Sequence, residues 1–182
     1  HHQRIIRVLG AISSIGQGSS PAGFISTRTS AGGWKSRQRK NALSLSSMLR
    51  LGVHTAPELP PTSILLVNPG VAVATKDVFR SRNGPFSQTA LFDVAPLDAR
   101  RLARLLLQRR NDLTAAATIH APAIREARER VGATDGCLLA RMSGSGATVF
   151  GLYASAEEAE RAGEAILRDR PTWWCWSGAI RS

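Results

Sequence analysis

The segment Ala140-Arg-Met-Ser-Gly-Ser-Gly-Ala-Thr-Val-Phe-Gly-Leu152 sets a Ser/Gly turn between two apolar stretches. Cys137–Met142 reads as one strand, Ser143–Gly146 as a tight loop and Ala147–Tyr153 as the next strand. Gly144 and Gly146 allow backbone angles closed to other residues and keep side chains out of a ligand's way. Ser143, Ser145 and Thr148 add hydroxyls, and consecutive amides in such a turn can gather around a phosphate. Ser143, Gly144, Ser145, Gly146, Ala147 and Thr148 are therefore the candidate lining of a phosphate or substrate site. No Lys-Ser/Thr pair closes a Walker loop, and a strand rather than a helix follows, which excludes a dinucleotide fingerprint. From spacing alone, a plain hairpin bend fits these residues as well as a phosphate turn does.

The surrounding text is orderly from residue 61 onward. Ile64–Val67 has the continuous apolar pattern of a buried strand and ends in the turn signal Asn68-Pro69-Gly70. Thr75 is expected to cap a short helix over 76–82. Asp98 caps a helix over 99–109, with Leu102, Leu105 and Leu106 on one face and the arginines on the other. Further helices are expected over 113–119 and from Pro122 through Arg130, the second ended by Gly132. Ser155 and Glu158 form a capping box for a helix to about Arg168, and Trp173–Ile180 supplies the last strand. Strand, helices, strand, loop, strand, helix, strand suits an α+β fold, with helices on one face of a largely antiparallel sheet.

Residues 1–60 differ in character. They hold seventeen Gly or Ser, and eight Lys or Arg against the single acid Glu58. Most of the net charge of +11 therefore belongs to the first third of the chain. We read 1–60 as an irregular, basic, Gly/Ser/Arg-rich leader, with a short helix at Ala42–Leu51, and 61–182 as the folded domain. The basic run after Trp34 reads as a solvated tail rather than a nucleic-acid surface, because no aromatic residues interleave it. The longest apolar runs are too short to span a bilayer, so no membrane partner is expected. Cys137 and Cys175 lack CxxC spacing or a histidine cluster; they read as reduced, part-buried thiols of a cytoplasmic protein, with no metal site.

Met142-Ser-Gly-Ser-Gly-Ala-Thr148 resembles the third conserved motif of the GHMP kinase superfamily. Two further blocks are similar to the 4-diphosphocytidyl-2-C-methyl-D-erythritol kinase family of isoprenoid precursor synthesis. They are Leu65-Leu-Val-Asn-Pro-Gly-Val-Ala-Val-Ala-Thr-Lys-Asp-Val-Phe79 and Arg110-Asn-Asp-Leu113. The three blocks lie in family order across about two thirds of the chain. This resemblance implies a ferredoxin-like C-terminal kinase domain at 61–182, ATP with Mg2+ as cofactor, and a cytidine diphosphate ester as small-molecule substrate. It implies that the turn 143–148 lines the cleft where substrate and phosphates meet, with Asn111 and Asp112 as supporting positions behind it.

The sequence also departs from that family. Its glycine-rich ATP loop has no counterpart in 1–60, where only Pro21-Ala-Gly-Phe-Ile-Ser comes near. No Asp precedes Asp77, so no catalytic residue is identifiable, and Thr114 stands where the family carries Glu. The expectation is a truncated or impaired copy that self-associates through the apolar face its missing half would cover. The competing expectation is a non-catalytic α+β interaction module with a basic tail. Asp112, beside Arg109 and Arg110, reads as a local pairing residue rather than a catalytic one. Trp174 and Trp176 should share one sheet face and Trp173 the other, as core and edge packing. His54 and His120 read as ordinary surface or structural residues.

Overall fold

The computed structural model describes residues 59–88 and 95–180, and the backbone of two short strands in the leader. Those strands, β1 (Ser26–Arg28) and β2 (Trp34–Ser36), pair antiparallel with Thr27 opposite Lys35. Three residues a side are too few for hydrophobic alternation to reveal, which is why the leader reads as irregular. The helix expected at 42–51, the side chains of the basic run, and His54 lie outside the described residues.

The larger unit is an α+β, ferredoxin-like domain. Its strands are β3 (Thr62–Asn68), β4 (Leu139–Met142), β5 (Val149–Tyr153) and β6 (Trp174–Ile180), all antiparallel in the order β4-β5-β3-β6. Its helices are α1 (Thr75–Ser81), α2 (Ala99–Leu107), α3 (Thr114–His120), α4 (Ala123–Gly132) and α5 (Ala156–Asp169). The two central strands β3 and β5 pair with Val67 opposite Val149 and Ile64 opposite Leu152. Every residue of β5 is buried, and β3 is buried along most of its length. Continuous rather than alternating burial means that both faces of the sheet are covered.

Leu65, Val67, Val149 and Tyr153 pack on one side with Val78 of α1, Ala117 of α3, Ile124 and Val131 of α4, and Ile166 of α5. Ile64, Phe150 and Leu152 pack on the other side with Leu102, Ala103 and Leu106 of α2. The helices therefore cover both faces of the sheet, and not one face as expected. Four helices lie on one face, and α2 lies on the opposite face, because Ile64, Phe150 and Leu152 would otherwise stand in water.

Helix ends follow local chemistry. The Asp98 carboxylate accepts the Arg101 amide at 2.7 Å, and Ser155 with Glu158 closes the reciprocal box at the start of α5. Thr75 departs from its expected role: α1 begins at Thr75 itself, Ala74 is the uncapped residue before it, and the Thr75 hydroxyl is engaged elsewhere. Trp173 is buried in the helix-rich core, whereas Trp174 and Trp176 stand part-exposed on the α2 face of edge strand β6. Cys137 and Cys175 are free thiols and half-buried; burial pushes both up, Cys175 to about 11. Among the described residues no helix is long and apolar enough to cross a membrane.

Leu102→Ala should cost about 2–5 kcal/mol in a urea titration, the range for emptying a buried leucine site, because Leu102 is 1% exposed. Ser155→Ala, which removes a cap and creates no cavity, should cost about 1 kcal/mol.

Candidate functional site

The turn from Ser143 to Thr148 joins β4 to β5 at one end of the sheet. It closes on itself: the Ser143 amide donates to the Thr148 carbonyl at 2.8 Å, and the Gly146 amide to the Ser143 carbonyl at 3.0 Å. Gly144 (φ +56°) and Gly146 (φ +91°) both sit in the left-handed region. A Cβ on Gly144 would meet nothing within 4 Å, whereas one on Gly146 would lie 2.8 Å from Ile124 Cδ1 and 3.2 Å from Met142 Sδ. Gly144 is thus held by conformation alone, and Gly146 also by the close approach of α4. Among the described residues, the amides of Gly144 and Ser145 form no hydrogen bond within the fold.

Three neighbouring segments brace the turn. Asn68, opposite Thr148 in the extension of the β3–β5 pair, donates through Nδ2 to the Thr148 hydroxyl at 3.0 Å and accepts the Gly70 amide at 2.8 Å. The hydroxyls of Thr75 and Ser145 meet at 2.8 Å, tying the start of α1 to the turn. Asn111, buried between α2 and α3, donates to the carbonyls of Met142 (3.0 Å) and Gly144 (2.8 Å). Its own Oδ1 accepts the Leu113 amide at 3.0 Å.

The structure therefore brings Asn111 together with the six turn residues. Asp112 is not in contact with them. It faces the loop after α1, accepting the Ser87 amide, the Ser87 hydroxyl and Arg110 Nε, each at 2.7 Å. Burial alone would push this carboxyl up; the Ser87 and Arg110 hydrogen bonds outweigh it and hold the carboxyl below its usual range. Asp112 thus pairs locally, as its flanking arginines suggest. His120 links to Ser81 at 2.7 Å, joining α3 to α1 away from the turn.

Thr75 and Asn68 are the members that sequence reasoning missed. Asn68 reads as a turn former and Thr75 as a cap, yet both serve the glycine turn. The available signal was strand pairing: an antiparallel β3–β5 pair would set the end of β3 beside the start of β5. A hollow of about 370 Å³ lined by Pro96, Leu97, Arg101 and Arg104 lies along α2 and includes no turn residue.

Gly144→Ala should cost about 1–2 kcal/mol, the strain of a left-handed alanine. Gly146→Ala should cost about 1–3 kcal/mol more, because overpacking against α4 is added. Chemical denaturation of the two variants side by side gives the comparison. Asp112→Asn should destabilise the domain at neutral pH, with the difference from the parent full above about pH 4. Because the folded carboxyl titrates lower than the unfolded one, that difference should shrink as pH falls through the folded value. Melting curves between pH 2 and pH 7 would read it.

With this geometry in view, residues 94–170 match the family described as GHMP kinases C terminal. A 4-diphosphocytidyl-2-C-methyl-D-erythritol kinase of Paramagnetospirillum magneticum is 47% identical over 119 residues, 65% of this chain and 42% of that protein. One from Rhodospirillum rubrum is 42% identical over 130 residues, 70% of this chain and 43% of that protein. A crystal structure of 4-(cytidine 5'-diphospho)-2C-methyl-D-erythritol kinase superposes with a TM-score of 0.51 at 30% identity, covering 69% of this chain and 45% of that one. The chain thus spans a little over two fifths of the length of these curated relatives. Fold, motif and sequence similarity agree: the folded unit is a GHMP kinase C-terminal domain, similar to the C-terminal half of 4-diphosphocytidyl-2-C-methyl-D-erythritol kinases.

Proposed function

We propose that this domain forms the glycine-turn wall of a small-molecule kinase cleft, in which ATP phosphorylates a hydroxyl of 4-diphosphocytidyl-2-C-methyl-D-erythritol. The observations that carry the reading are 47% identity over 119 residues to a protein of that name, and the family match over 94–170, which includes the turn. Phosphoryl transfer of this kind needs little covalent chemistry from the protein; positioning and charge neutralisation supply most of the acceleration. The amides of Gly144 and Ser145, without a partner among the described residues, and the hydroxyls of Ser143, Ser145 and Thr148 suit the oxygens of a phosphate group.

ATP would carry its own Mg2+. The side chains at the turn are hydroxyls and an amide, and among the described residues no cluster of three His, Cys, Asp or Glu could hold a metal. Residues 1–76 contain no aspartate to take the hydroxyl proton and no glycine-rich ATP loop. Turnover by this chain alone should therefore be weak or absent, although the turn still recognises phosphate. We place the protein in the cytoplasm, where its nucleotide substrates are free. We also infer self-association through apolar side chains left in water, Trp174 and Trp176 among them.

The test is to titrate the full 182-residue chain with MgATP and with the cytidine diphosphate substrate, following the Gly144 and Ser145 amide resonances and ADP release. The expected result is a shift at the turn with phosphorylation far below an ordinary enzymatic rate. Rapid turnover would overturn the impaired-copy reading. A turn indifferent to both ligands would overturn the kinase reading in favour of a non-catalytic module. Light scattering should find species larger than one chain; a clean monomer would remove the self-association.

A further inference from the structure

A trans peptide unit is planar, so its carbonyl and its amide point in opposite directions. Asn111 Nδ2 holds the carbonyl of Gly144 at 2.8 Å. The amide of the same peptide unit belongs to Ser145, so it is turned away from Asn111, toward the outer side of the turn. The Ser145 hydroxyl there meets Thr75. The second Nδ2 bond, to the Met142 carbonyl at 3.0 Å, fixes where the turn leaves β4. Asn111 itself cannot swing: it is 6% exposed, and its Oδ1 accepts the Leu113 amide at the head of α3.

We propose that Asn111 is a positioning residue, which aims the Ser145 amide at the phosphate of a nucleotide by holding the Gly144 carbonyl inward. The proposal rests on the reading that the turn receives phosphate. The next residue completes the arrangement from the other side. Asp112 anchors Ser87 of the loop that follows α1, and α1 carries Thr75. Adjacent residues at one helix junction therefore register two segments against each other, the turn through Asn111 and the α1 loop through Asp112. Donors aimed in advance need no reorganisation when an anion arrives, which is how such turns favour phosphate.

Asn111→Asp, compared with the uncharged Asn111→Ser, tests the aiming bond. The variant keeps an oxygen for the Leu113 amide; protonated, it offers one O–H to one of the two carbonyls, and ionised it offers none. A carboxyl facing two carbonyl oxygens holds its proton to higher pH than in water, and while protonated it can still donate. Affinity for MgATP and for CDP, measured by calorimetry on the full chain between pH 5 and pH 9, should separate the forms. We expect the variant to bind within about threefold of the parent at pH 5 and at least about tenfold more weakly at pH 9, the loss of one charge-assisted hydrogen bond. Dividing by the parent's affinity at each pH cancels titration of the phosphate itself.

A variant that tracks the parent at every pH overturns the proposal. Should this variant fail to fold, Asn111→Ser retains a single O–H donor; intermediate affinity is expected, and unchanged affinity overturns the idea. If the parent binds neither probe, the kinase reading falls on its own. The aiming is then read from the Ser145 amide resonance without ligand, and a resonance unmoved in Asn111→Asp at pH 9 ends the proposal.

Discussion

The antiparallel pairing of β3 with β5, buried on both faces, is the constraint on which the rest of the domain depends. Val67 lies opposite Val149 and Ile64 opposite Leu152, and each strand sends side chains into both cores. A strand pair of this kind cannot persist with one face in water, so both the helix group α1, α3, α4 and α5 and the lone helix α2 are required. The pairing also fixes the end of the sheet at which the glycine turn emerges. Asn68 then falls opposite Thr148 by register, and its side-chain amide is in place to brace the turn.

A turn made of Ser and Gly is a poor candidate for rigidity, since glycine has the largest backbone freedom to lose. Here the freedom is removed from outside. Asn111 holds the Gly144 carbonyl and that of Met142 just before it, Asn68 and Thr75 hold two of the turn's hydroxyls, and Ile124 fills the space beside Gly146. The residues that stiffen the turn come from four places in the sequence, between Asn68 and Ile124. That separation lets the turn itself stay small, so that phosphate oxygens could approach its backbone.

Charge is arranged in keeping with this division. Asp112, the acid nearest in sequence to Asn111, is spent on Ser87 and Arg110, and does not face the turn. An anion approaching Gly144 and Ser145 would meet hydroxyls and amides, with no carboxylate among the bracing side chains. The basic excess of the chain sits largely in the first sixty residues.

Local signals in the sequence were sufficient for the strands and most helices of residues 61–182, though not for the β1–β2 pair. The capping box at Ser155, the cap at Asp98, the apolar runs at Ile64 and Val149, and the two glycines at 144 and 146 each rest on chemistry within a few residues. The alternation that buries Trp173 and leaves Trp174 and Trp176 at the surface was equally legible. The sequence did not determine which face α2 would cover, because an amphipathic helix declares that it has an apolar side and not which surface that side will meet. Nor did it assign the Thr75 hydroxyl to Ser145 or the Asn111 amide to the Gly144 carbonyl. Those partners lie 70 and 33 residues apart. Only the packed sheet brings them within hydrogen-bonding distance, and a hydrogen bond, unlike a hydrophobic period, leaves no repeat in the sequence from which to read its partner.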